Sequence, residues 1–376
     1  MKVGVPTEIK SDEYRVAMTP AGVRELTDAG HEVVIQSDAG EGSAISNADY
    51  EAQGAKILPD ADAVFGEAEM IVKVKEPQAD EVARLRPEHL LFTYLHLAPD
   101  PDLTHGLMKS GATCIAYETV EDRNGRLPLL APMSEVAGKL ATQSGAFMLE
   151  KPLGGRGALL GGVPGVAAAK VMVIGGGVVG TNAAIISIGM QGETYVYDRN
   201  IDRLRQLEIE LDGRASTCFA STLEIEQRLP EVDLVIGAVL VHGAKAPHVI
   251  TREQLGLMKK GAVLVDVSID QGGCFETSHA TTHSDPTYEV DGVIHYCVAN
   301  MPGAVPITST YALTNATMPF VLHLANKGVH SAVEDDPGLA LGVNVAAGAI
   351  TYRPVAEALG EQGVSVAEAL SQVPSR

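Results

Sequence analysis

The chain has 376 residues, 45% of them hydrophobic, and its 48 acidic against 28 basic side chains leave a formal charge of −20. That length predicts two domains of ~150 residues each, and the anionic surface excludes nucleic acid and anionic membrane as partners by repulsion. Four scattered cysteines, Cys114, Cys218, Cys274 and Cys297, show no C-x-x-C spacing and read as reduced structural thiols, neither a metal centre nor a disulfide framework.

The first residues, Met-Lys-Val-Gly-Val-Pro, open as a strand and not as a basic stretch followed by an apolar one, so the expected compartment is the cytoplasm. Strand patterns at 3–5, 31–36, 70–74, 90–94 and 113–116, with a helix over 19–29, predict an α/β unit in the first ~128 residues. A helix at 134–140 has Ser134 as an N-cap serine and an acid in its first turn. The glycine-rich segment 153–165 reads as a loop or long turn.

The next stretch carries the strongest signal. Residues 171–174 form a short apolar run, Gly175, Gly177 and Gly180 fit G-x-G-x-x-G, and 181–190 opens a helix. Gly175 permits a tight turn, Gly177 lets the backbone approach a pyrophosphate, and Gly180 lets helix and strand pack closely. A second strand ends in Asp198, eighteen residues after Gly180, where a carboxylate accepts from ribose hydroxyls and repels a 2′-phosphate. Together these predict NAD as cofactor, in preference to NADP. Although 171–190 lacks a charge, five glycines before Gly192 with Thr181 and Asn182 fit a strand–turn–helix better than a membrane span.

Further apolar runs at 233–239, 261–268 and 293–299 extend a parallel sheet whose carboxyl ends carry small or polar residues. A helical region from about Ile307 is expected to fold back on the N-terminal half. The expected fold is therefore α/β in two domains, with a central Rossmann NAD-binding domain (131–306) inserted in a discontinuous α/β substrate domain (1–130 and 307–376) beside a cleft.

Gly4-Val-Pro-Thr-Glu-Ile-Lys10 and Glu13-Tyr-Arg15-Val-Ala-Met-Thr-Pro20 open the chain, and Val74-Lys75-Glu-Pro77, Thr93-Tyr-Leu-His96-Leu-Ala98, Tyr117-Glu-Thr119, Pro132-Met-Ser-Glu-Val-Ala-Gly138, Gly161-Gly-Val-Pro-Gly165 and Val298-Ala-Asn-Met-Pro-Gly303 follow. In that order, over nearly the whole chain, these resemble the alanine dehydrogenase and pyridine nucleotide transhydrogenase family, with the dehydrogenase branch the nearer. The resemblance implies reversible NAD-dependent oxidative deamination of L-alanine to pyruvate and ammonium in a homo-hexamer. A transhydrogenase-type subunit, or a dehydrogenase of a related amino or opine acid, are the alternatives; transhydrogenase chains usually continue toward membrane parts.

By the same resemblance, Arg15 and Lys75 hold the substrate while His96 and Asp270 handle protons. Ser134, Val178, Val179, Asp198, Arg203, Val239, Leu240, Val267, Asp270, Val298, Asn300 and Met301 line the cofactor with the three glycines. The chemistry agrees: a 2-oxo acid needs a cation for its carboxylate, and arginine offers a planar fork. Lys75 suits the carbonyl oxygen, and an imidazole with an ordinary pKa of ~6.5 suits proton transfer near neutrality. The chain departs from the family at His242, often proline, Ala220, often serine, and His279, often arginine. His323 and Lys327 make a poor ligand pair, so no metal is expected.

Overall fold

In a computed structural model, residues 1–239 and 247–374 are described. Six short strands start the chain: β1 (Lys2–Val5), β2 (Glu32–Gln36), β3 (Lys56–Leu58), β4 (Met70–Val72), β5 (Leu90–Thr93) and β6 (Thr113–Ala116). They pair in parallel in the order β6-β5-β4-β1-β2-β3. Their near-continuous apolar residues are buried, as parallel strands covered on both faces require. The helix Pro20–Asp28 starts with Thr19 as N-cap, accepting from the Gly22 amide, and Pro20 in the first turn, where no amide is missed. The order of the strands reverses between β1 and β4, the place where an open α/β sheet leaves a crevice beyond its carboxyl ends.

The second sheet contains β7 (Lys170–Ile174), β8 (Glu193–Asp198), β9 (Ser216–Phe219), β10 (Leu234–Gly237), β11 (Val263–Asp266), β12 (Thr287–Val290) and β13 (Val293–Tyr296). Its order is β12-β13-β11-β10-β7-β8-β9, parallel except for β12 at the edge, and it reverses between β7 and β10. Met172, Val235 and Leu264, neighbours across the three central strands, sit in one buried cluster.

The chain then adds β14 (Val343–Ala346) and β15 (Ala349–Ile350), with β14 antiparallel to β6. The C-terminal region is thus not purely helical. Its long helix Pro306–Asp335 is itself interrupted at Gly328, whose φ of 72° only glycine adopts readily. Two compact units result, Met1–Met133 with Val305–Arg376, and Ser134–Ala304. Ser134 is not an N-cap: the helix there runs Ala131–Met148, so three more residues precede it. Among the described residues no helix is long and apolar enough to cross a membrane.

Candidate active site

In the first unit, the loops after β1, β4 and β5 carry a dense set of ionic side chains. Arg15 is buried, and its fork is engaged by Glu13: Nε donates to Oε1 at 2.6 Å and Nη2 to Oε2, while Nη1 lies 3.1 Å from the Met133 sulfur. The expected carboxylate clamp is therefore already paired with a carboxylate of its own loop. Immediately beyond β4, buried Lys73 donates to Glu8 at 3.0 Å and to Glu81 at 2.7 Å. Burial opposes its charge, but the two carboxylates outweigh it and raise its pKa. Glu8 also accepts from the amides of Val74 at 2.7 Å and Lys75 at 3.3 Å, so it fixes the backbone that presents Lys75.

Lys75 differs from its neighbour. The residue is only 9% exposed, yet among the described residues its ammonium forms no hydrogen bond or ion pair, and only its main chain is engaged, by Glu8 and by the Thr93 hydroxyl at 2.9 Å. A nearly buried cation with no carboxylate in contact is a ready receptor for an anionic or carbonyl oxygen.

His96, just past β5, has a φ of 51°, a left-handed conformation that costs energy in a non-glycine residue. Glu118 holds it there, accepting from the His96 amide at 2.6 Å and the Leu95 amide at 3.1 Å. The ring stacks on Tyr94, centroids 5.8 Å apart, and Nδ1 lies 3.5 Å from Glu76, which also receives Lys10. Lost hydration works against the imidazolium, but Glu118 and then Glu76 outweigh it and raise the pKa of His96. Its side chain remains 43% exposed.

The second unit builds a different site. Gly175 has a φ of 106° and, with a side chain, would collide with the Ala238 carbonyl; at Gly180 a Cβ would run into the Gly175 carbonyl oxygen. Gly177 is unlike both: a Cβ there meets nothing within 4 Å. It is the N-cap of the helix Val178–Gly189, without a side-chain cap. Free amides at an uncapped helix start, facing open space over a bare glycine, fit a pyrophosphate. Asp198 ends β8, accepting from the Gly176 amide at 2.7 Å and the Asn200 amide at 2.8 Å; each carboxylate oxygen keeps acceptor capacity for a ribose hydroxyl. Arg203 braces the same loop, donating to the Gly176 carbonyl at 2.7 Å and Thr181 at 2.8 Å, with Glu210 as its ion-pair partner.

Of the other expected cofactor residues, Val178 is exposed and Val179 half-buried at that helix start, and the Val239 carbonyl beyond β10 accepts from Ser268 at 2.8 Å. Leu240 and His242 lie outside the described residues. Val267 and Asp270 occupy the 3-10 turn Val267–Gln271 that follows β11. Exposed Asp270 accepts from the Asn300 amide at 3.3 Å, and Asn300 has a φ of 59°. The acid that organises the Gly272-Gly273 turn is Asp266, buried and accepting from Ser268, Cys274 and Ser278, with burial raising its pKa. Val298 and Met301 are buried and Ser134 half-buried. At the departures, the Ala220 amide donates to the Asp198 carbonyl at 3.0 Å, and His279 stacks on Tyr288 at 3.6 Å.

Sequence reasoning passed over Glu8, Glu13, Lys73, Glu76 and Glu118. Glu8 and Glu13 lie within the two opening motifs, and Lys73 stands two places before Lys75 on the same strand end, so proximity to Arg15 and Lys75 was the available signal. Glu76 and Glu118 stand inside the family-like motifs Val74–Pro77 and Tyr117–Thr119, whereas Glu81 had no signal, because only the fold brings it near.

The family model described as "Alanine dehydrogenase/PNT, N-terminal domain" matches residues 4–137, and its C-terminal counterpart matches 141–353. The chain belongs to the alanine dehydrogenase/PNT family. Within it, an alanine dehydrogenase of Halomonas elongata is 59% identical over 98% of this chain and 99% of its own. That of Bacillus subtilis is 52% identical over 100% and 99%. A solved L-alanine dehydrogenase superposes with a TM-score of 0.93 at 49% identity, covering 96% of this chain and 99% of that one. A transhydrogenase from Sinorhizobium meliloti shares the fold, with a TM-score of 0.80 at 24% identity.

Proposed function

We propose that this chain catalyses the reversible reaction of L-alanine, NAD⁺ and water to give pyruvate, ammonium, NADH and a proton. The observation that carries the proposal is the pairing of two sites in a chain so similar to alanine dehydrogenases: a glycine cradle ending in an acid, and a nearly buried, unpaired Lys75 on the loops that also hold His96. NAD⁺, when bound on the glycine loop, supplies the hydride acceptor. Every other task falls to side chains. Lys75 takes the carbonyl oxygen and the charge that develops on it, and Arg15, shared with Glu13, takes the carboxylate. His96 removes a proton from the water that adds to the imine and returns one to the departing amine. Asp270, exposed beyond β11, orients that water. Asp198 selects NAD over NADP.

The curated relatives that match over full length support the dehydrogenase reading over the transhydrogenase one. The working form we propose is a cytoplasmic homo-hexamer, checked by light scattering. The deciding assay follows NADH absorbance with pyruvate plus ammonium, pyruvate alone, glyoxylate plus ammonium and larger 2-oxo acids. Ammonium-dependent oxidation fastest with pyruvate is the expected result. NADH binding without oxidation of any 2-oxo acid overturns it in favour of a transhydrogenase-type subunit.

A further inference from the structure

The environment of His96 is built from three directions. Glu118 holds its strained main chain, Tyr94 covers one ring face, and Glu76 lies along its Nδ1 edge. Glu76 divides its two oxygens. Oε1 receives Lys10, whereas Oε2 is shut off from solvent and has no hydrogen-bond partner, and His96 Nδ1 lies 3.5 Å from it. A buried, ionised carboxylate oxygen left unsatisfied is costly, and a slight closure onto an Nδ1–H removes that cost. Nε2 has no protein partner among the described residues and belongs to a ring that is 43% exposed.

We propose that Glu76 is the positioning residue for His96: its Oε2 holds the proton on Nδ1, so that Nε2 is the atom that exchanges protons with substrate and water. The arrangement is that of a carboxylate fixing the tautomer and orientation of a working imidazole. It rests on the reading of His96 as general acid and base. Lys10 moderates the device by sharing the carboxylate. The groups that face the ring are Glu76 and Glu118, which favour the imidazolium, Lys75, which disfavours it, and the neutral Tyr94. Glu76 is kept ionised against its own burial by His96, Lys75 and Lys10.

The test is the titration of His96 by NMR in full-length protein carrying 13C- and 15N-labelled histidine, with the signal assigned from its loss in His96→Ala. In Glu76→Gln the midpoint should fall by about one pH unit, the neutral form should lose its preference for a proton on Nδ1, and the acidic limb of kcat/KM for L-alanine should move down with it. Lys10→Gln, a change at a partly exposed site, should move the midpoint the other way. A merely structural role for Glu76 does not produce opposite shifts. An unmoved midpoint in both variants, or a neutral wild-type ring protonated on Nε2, overturns the proposal. Turnover of His96→Ala separately decides the general acid–base reading: if it is unimpaired that reading fails, while the two midpoint shifts still decide the coupling of Glu76 to His96.

Discussion

Arg15 shows why a residue's role and its burial must be read together. Its fork is closed around Glu13 with both side chains essentially out of water, so Arg15→Ala would remove the substrate contact proposed for it and also strand a buried carboxylate. The variant should raise KM for pyruvate by roughly ten-fold or more, the worth of a charge-assisted hydrogen bond. In denaturant unfolding it should lose about 3–5 kcal/mol. His96→Ala, at a half-open side chain, should instead lower kcat by about 10²–10⁴-fold with little loss of stability; equal kinetics in both variants would sink the site assignment. Glu76 adds a pH signature. Burial alone would raise its pKa, but His96, Lys75 and Lys10 hold it below the ordinary carboxylate value. A depressed folded-state pKa contributes stability above the unfolded value of roughly 4.3 and loses it as the pH falls further. The difference in Tm between wild type and Glu76→Gln should therefore shrink below that pH, and a constant difference would show that Glu76 is not the group being protonated.

At the scale of elements, the strand–turn–helix from β7 onward separates glycines that the packing requires from one that it does not. Gly180 faces the Gly175 carbonyl, so Gly180→Ala should lower Tm and weaken NADH together. Gly177 has open space and an ordinary φ of −70°, so Gly177→Ala should leave Tm unchanged while weakening NADH, measured by fluorescence titration. Loss of Tm there would mean that the glycine serves the fold and not a phosphate. Asp198 has a double task, because it accepts both a loop amide and, in the proposed complex, the ribose. Asp198→Ala should relax the preference for NAD over NADP and raise KM for NAD as well; wild-type discrimination in that variant would refute the ribose reading. This element was legible because its glycines and terminal acid lie within one local stretch. The helix around Ser134 was misread for a related reason: its actual start, at Ala131, uses Pro132 in the first turn, while Ser134 followed by an acid imitates a cap.

The whole molecule depends on a return of the chain. β14 pairs with β6 and buries Val343 and Val345, so residues 1–133 alone would leave that edge open. Expressed separately, Ser134–Ala304 should unfold cooperatively and bind NADH without turnover, whereas 1–133 should show no cooperative transition. A fragment 134–304 that neither folds nor binds would show that the two units are not independent. Residue types and spacing alone pointed to the α/β class, the two-unit plan and the glycine loop with Asp198, because each is a local pattern of burial period or turn chemistry, whereas Arg15, Lys75 and His96 were singled out through the family resemblance, with which their chemistry agrees. Only the tertiary structure decided that Arg15 is occupied by Glu13 while the Lys75 ammonium has no contact partner among the described residues, that Asp266 at the end of β11 and not Asp270 is the buried acid, and that Glu76 and Glu118 bracket His96. Those are facts about distance and desolvation between residues far apart in the chain or on strand ends whose directions the spacing does not reveal.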